Sequence, residues 1–131
     1  MDQAGFYVTL NSTTESPTVL SSDIPKAFFE NGINYEIGIQ RINITTNKKK
    51  CCIEILSPQV ESLSIIDGLV TPVLRIIDLK QTSWSANYNT IQYHKFSPDD
   101  HIVLLVKPSK FDCGSLTVEK TSITLHIRPY F

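Results

Sequence analysis

The residues of this chain that could do chemistry are three histidines, three cysteines and the triplet Asp99-Asp100-His101. The triplet offers two carboxylates and an imidazole to a cation. Zinc and calcium loops space their ligands so that they converge from several directions, and three consecutive positions match neither pattern. His94 falls on the same strand side as Gln92 and Phe96, and His126 stands between Leu125 and Ile127. Both read as solvated strand histidines rather than as a base or a ligand. Cys113, beside Asp112 and Gly114, is the one candidate thiol nucleophile. A reactive thiolate needs a neighbouring cation or base, and no Cys-His signature surrounds it. There is no glycine-rich phosphate loop, no Gly-x-Ser-x-Gly and no carboxylate pair at recognisable spacing. The reading is therefore of a protein that is not an enzyme, with no catalytic residue, no metal and no cofactor.

What remains is surface. Lys48-Lys49-Lys50 is the densest charge cluster, placed between two strand patterns. It reads either as a contact for phosphate or an acidic protein face, or as a solvated hairpin loop whose charge discourages edge pairing. Trp84 and Tyr88 stand in the polar stretch from Gln81 to Thr90, where a sandwich would carry a long loop. They are partner anchors or rings folded back over the core. Arg128-Pro129-Tyr130-Phe131 ends the chain with a proline expected to stop the strand ladder and two aromatics expected to reach a neighbour. These residues, Lys48 to Lys50, Trp84, Tyr88 and Pro129 to Phe131, are the interface candidates.

The length of 131 residues and 41% hydrophobic content suit one domain, spanning 1-131, with a real core. A formal charge of -1 gives no overall field toward nucleic acid or an anionic membrane, so neither is an expected partner. No apolar run approaches a membrane span, and Met1 to Gly5 carries no secretion signal. Adjacent Cys51 and Cys52 would point to opposite faces of a strand. All three cysteines are accordingly read as reduced thiols.

The periodicity is that of a β protein. Phe6, Val8 and Leu10 alternate with polar or small residues. Ile33, Tyr35, Ile37 and Ile39 hold odd positions before the pattern changes phase to Ile42 and Ile44, which predicts a bulge near Gln40-Arg41. Further strands are expected over Cys51 to Leu56, Leu63 to Ile66, Val70 to Leu79, Ile91 to Phe96, His101 to Val106 and Leu116 to Arg128, with a break near Lys120. Pro72 marks an edge or a strand end. His101 to Val106 is apolar on both faces and should be central. About eight short strands with turns between them indicate an antiparallel β-sandwich, either jelly-roll or immunoglobulin-like.

Phe6-Tyr7-Val8-Thr9-Leu10-Asn11-Ser12, followed by a polar loop and by Tyr35-Glu36-Ile37-Gly38-Ile39, resembles the opening of a family encoded by Polinton or Maverick elements and related adintoviruses. There a Phe-x-Val-x-Leu-x-Ser strand leads to one of the kind Tyr/Trp-Glu-Val-Gly-Leu. Thr124-Leu125-His126-Ile127-Arg128 is similar to the family's closing Leu-His-Phe-Arg strand. The resemblance implies a single jelly-roll virion protein, a penton or minor capsid component. Such a protein assembles with itself, as a pentamer in the penton case, and with other capsid proteins. It is made in the host cytoplasm or nucleus and not secreted. The alternative is a non-enzymatic intracellular protein-binding module, including a domesticated viral copy.

Overall fold

In the computed structural model the described residues are 5–47, 51–61, 64–66, 69–108 and 116–130. The alternating segments form β1 (Phe6–Asn11), β2 (Val19–Asp23), β3 (Asn34–Thr46), β4 (Cys51–Leu56), β5 (Ser64–Ile66), β6 (Leu69–Thr71), β7 (Val73–Leu79), β8 (Ser83–Asn87), β9 (His94–Phe96), β10 (His101–Pro108) and β11 (Val118–Tyr130). The one helical turn among the described residues, Lys26–Phe28, is of the 3-10 type.

The strands make an antiparallel sandwich. One sheet has the order β1-β11-β3-β8, with β9 also paired to β3; the other has the order β2-β10-β4-β7; β5 and β6 form a separate hairpin. Set that hairpin aside and treat β8 and β9 as one interrupted strand. The first strand then pairs with the last (β1 with β11), the second with the second-last (β2 with β10), β3 with β8 and β9, and β4 with β7. A long hairpin wound once around a barrel axis gives this order. Winding brings β11 against β3 and β10 against β4, which closes the two sheets. This is the jelly-roll winding. β1 meets β2 across the sandwich at one side, and β3 meets β7 toward the other.

The phase change in β3 has the expected cause. Arg41 opposes Thr124 and Ile39 opposes Leu125, so Gln40 has no partner on β11 and acts as a bulge. Tyr35, Ile37 and Ile39 before it and Ile42 and Ile44 after it all face the core, each at most 5% exposed. A second shift at Glu119, between Val118 and Lys120, lets Val118 and Ile123 both point inward. Pro72 separates β6 from β7, and β7 is an edge strand.

Three expectations are corrected. Gln81 to Thr90 is not a long loop, because Ser83–Asn87 pairs with β3, turning Trp84 and Ala86 toward the core. Pro129 does not stop the ladder: it lies opposite Tyr35, and Tyr130 opposite Asn34. Thr121 hydrogen-bonds through its backbone to Ser12 on the β1 side. By alternation the nitrogen of Pro129 faces that same side, past the start of β1, where β3 loses no donor. β10 is central as expected, with Ile102, Leu104 and Val106 buried and Leu105 37% exposed. Cys51 is disulfide-bonded, so the cysteines are not all reduced thiols.

Thr121 faces the core at 1% exposure with its hydroxyl lacking a partner among the described residues. An unpaired buried hydroxyl costs about 1–3 kcal/mol. Thr121→Val keeps the shape and should stabilise the chain by about 1 kcal/mol in urea denaturation. A loss of stability would mean that the hydroxyl is satisfied.

Candidate assembly surfaces

The three segments carrying the viral resemblance lie side by side in one sheet. Phe6 opposes Ile127 and Tyr7 opposes His126 on one flank of β11; on the other, His126 opposes Gly38, Ile127 opposes Ile37 and Arg128 opposes Glu36. Their odd-numbered β3 and β11 members, Ile37, Ile39, Leu125 and Ile127, fill the core. The even-numbered ones build an outer surface. Arg128 Nε donates to Glu36 Oε1 at 2.7 Å, and its guanidinium lies 3.7 Å from the Tyr93 ring centroid. Tyr93 Oη and His126 Nδ1 share a 2.7 Å hydrogen bond, and Tyr7 stacks on the imidazole at 4.7 Å. Burial, seconded by the Arg128 charge, pushes His126 below the ordinary histidine pKa, so it is held neutral. Burial pushes the Tyr93 hydroxyl up, so it keeps its proton.

Gly38 makes this surface possible. Between Asn87, opposite Arg41, and His94, opposite Ile37, the chain crosses the outside of β3. A Cβ on Gly38 would stand 2.3 Å from Ile91 Cγ2 and 2.6 Å from Gln92 O. Only a residue without a side chain lets the crossing lie flat and carry Tyr93 over to His126. The result is an outer face built of aromatic, imidazole and guanidinium groups.

At one end, the short Pro25-Lys26-Ala27-Phe28-Phe29 segment closes the sandwich with rings. Phe29 meets Phe6, Tyr35 and Phe96 edge-on at centroid distances of 5.7, 4.9 and 6.1 Å. Phe28 meets Phe6 at 4.9 Å and stays half exposed. Among the described residues the other exposed large apolar side chains are Tyr7, Val19, Ile76 and Leu105. The four that lie in strands each have an apolar neighbour in sequence: Phe6-Tyr7, Val19-Leu20, Ile76-Ile77 and Leu104-Leu105. In a strand, adjacent side chains point to opposite faces, so an apolar doublet must leave one member outside. That signal was present in the sequence and was not read there as an interface.

Of the interface candidates read from the sequence, Trp84, Tyr88, Pro129 and Tyr130 are among the described residues. Trp84 and Tyr88 are partly buried against the core, and the Arg75 guanidinium caps Tyr88 at 3.6 Å from its centroid. Pro129 and Tyr130 belong to the sheet, with Lys95 Nζ 5.4 Å from the Tyr130 centroid. Lys48, Lys49, Lys50 and Phe131 lie outside the described residues, as does Cys113. Asp99, Asp100 and His101 bring their ligand atoms within 4.8 Å of one another, all exposed. His101 Nδ1 and Asp100 Oδ1 already bond each other at 2.9 Å, which raises the histidine pKa and lowers that of the carboxyl. An open cleft of about 410 Å³ beside them is lined by Lys26, Phe29, Asn31 and Pro98.

No family model and no curated protein matches the chain. Among solved structures it is similar to the Drosophila NLP core, a structure described in terms of pentamer formation and histone binding. The identity is 11% over 95% of this chain and 97% of that one, with a TM-score of 0.46. It is also similar to a chain of black queen cell virus, at 14% identity over 97% of this chain and 69% of that one, with a TM-score of 0.31.

Proposed function

We propose that this protein is a structural virion component, a penton or minor capsid protein of the Polinton and adintovirus kind, that acts without catalysis by assembling into a symmetric homo-oligomer within the particle. The observation that carries the proposal is where the large apolar side chains are exposed. Tyr7, Val19, Ile76 and Leu105 lie on the outer surfaces of strands, and Phe28 lies beside the first strand. Val19 and Leu105 lie directly opposite each other on β2 and β10, and an adjoining exposed apolar pair suits protein contact. The sequence resemblance supplies the virion context, and its three motif strands form one contiguous half-sheet.

Light scattering behind size exclusion tests it. The full chain at micromolar concentration should run as a defined multiple of the monomer mass, five in the penton case. A monomer at high micromolar concentration would overturn self-assembly.

A further inference from the structure

Three separate segments converge on one imidazole. On the outer face of β11, His126 Nδ1 meets the Tyr93 hydroxyl and the ring packs against Tyr7 of β1. A Cβ on Gly5 would stand 2.5 Å from Nε2, so the chain entering β1 lies against the second nitrogen. The charged groups around the ring, among the described residues, are Arg128 on its own strand, Glu36 of β3 and Lys95 of β9, opposite Glu36. Glu36 is already bonded to Arg128, and Lys95 Nζ lies over Tyr130. His94, next to Tyr93, turns away and bonds the Leu74 carbonyl at 2.9 Å. The segment from Tyr88 to Tyr93 crosses β3 outside any strand pairing. Its first residue is fastened by the Tyr88 N–H, which donates to the Gln40 carbonyl at 2.8 Å, and its last by the contacts of Tyr93 with His126 and Arg128.

We infer that His126 is an acid-sensitive latch: protonating its ring releases Tyr93 and frees the segment between β8 and β9 from the outer face of β3. In the neutral ring Nδ1 accepts from the Tyr93 hydroxyl. In the charged ring Nδ1 becomes a donor, so the hydroxyl must turn and find another acceptor, and the new cation stands beside the Arg128 guanidinium. Burial and that guanidinium hold the latched ring below the ordinary histidine pKa, and release returns it toward the ordinary value of about 6.5. The released state therefore takes up the extra proton. The latch is fully present above about pH 6.5 and is lost as the pH falls below that, through the depressed value. The core keeps its packing, because Leu125 and Ile127 on either side of His126 face inward. What release uncovers is the strand backbone at Gly38 and the Ile91 side chain that lies on it. The latch belongs to a single chain and stands whether or not that chain assembles with itself.

Hydrogen exchange of the Tyr88 amide, read by NMR at pH 7.5 and pH 5.0 and corrected for the intrinsic effect of pH, tests it. Relative to the Ile123 amide in the core, Tyr88 protection should fall at least about threefold in acid. His126→Phe, checked for its fold by circular dichroism, should show no such fall; if it does not fold, His126→Gln takes its place. Tyr93→Phe keeps the ring over Arg128 but removes the hydroxyl, so the segment should be less protected already at pH 7.5 and respond less to acid. Unchanged relative protection in the unaltered chain overturns the inference, as does a full acid response in the His126 variant, which would assign it to another group such as His94. A His126 ring that titrates at or above the ordinary histidine value overturns it too.

Discussion

Gly38→Val should lower the stability of the chain by about 3 kcal/mol or more, and Gly38→Ala by about 2 kcal/mol, although both residues suit a strand better than glycine does. The strand preference is worth about 1 kcal/mol at most. Against it stands overpacking, which costs about 1–3 kcal/mol when methyl groups are forced into a filled space. One of the atoms that must move, Gln92 O, belongs to the backbone, 2.6 Å from the new Cβ, so the crossing segment has to lift as a unit. Lifting it takes Tyr93 from His126 and from the Arg128 guanidinium, two contacts that close the outer face. In a chain of this size the alanine variant should melt about 6–8 °C below the original. The His126 ring resonances should shift with it, because the imidazole loses its partner. An unchanged melting temperature would show that the crossing does not depend on the bare backbone at this position.

That glycine also shows what a sequence pattern can and cannot deliver. Glycine at position 38 takes an outward position in an alternating strand, and the resemblance marks it as a motif residue, but no local rule says what lies over it. The occupant comes from residues 91 and 92, more than fifty positions away, through a pairing that only the folded topology creates. By contrast the alternation in β3, its change of phase, the bend before Lys120 and the break at Pro72 were legible because each depends on the local period of the strand.

Two strands escaped that reading. β2 is Val19-Leu20-Ser21-Ser22-Asp23 and β8 is Ser83-Trp84-Ser85-Ala86-Asn87. Each is an edge strand that buries few large side chains, so its period carries little hydrophobic contrast. The Pro129 error has the opposite origin. A proline removes a donor wherever it falls, but the loss matters only if that donor faces a neighbour, and facing is a property of the sheet. The assembly surfaces were partly legible in principle, since apolar doublets in a strand force one ring or branched chain outward. Which doublets share an edge required the winding.

Deleting Gln40 should leave a chain that still folds cooperatively, whereas deleting Asn43, a change of the same length, should cost several kcal/mol. The difference lies in residue count. Gln40 is the one β3 residue between Ile39 and Arg41 with no opposite number on β11, the extra residue that the change of phase accommodates. Without it Ile39 is followed directly by Arg41. Plain alternation then leaves Tyr35, Ile37, Ile39, Ile42 and Ile44 all inward, with the register to β11 unchanged. What is lost is the hydrogen bond that the Tyr88 N–H donates to the Gln40 carbonyl at 2.8 Å, worth about 0.5–1.5 kcal/mol. Removing Asn43 joins Ile42 to Ile44 instead. If the bulge stays, Ile44 and Thr46, now at 1% and 3% exposure, turn outward. If the bulge is given up, Ile42 turns outward and Arg41 inward. Exposing one isoleucine costs about 1.5–3 kcal/mol, and a buried arginine without a partner costs several more. Either route consumes a large share of the roughly 5–15 kcal/mol that holds a domain together. β3 also joins β11, β8 and β9, so the failure spreads through the whole five-stranded sheet. Urea denaturation followed by circular dichroism distinguishes the outcomes. A Gln40 deletion that costs as much as the Asn43 deletion would show that something other than this bulge sets the phase of β3.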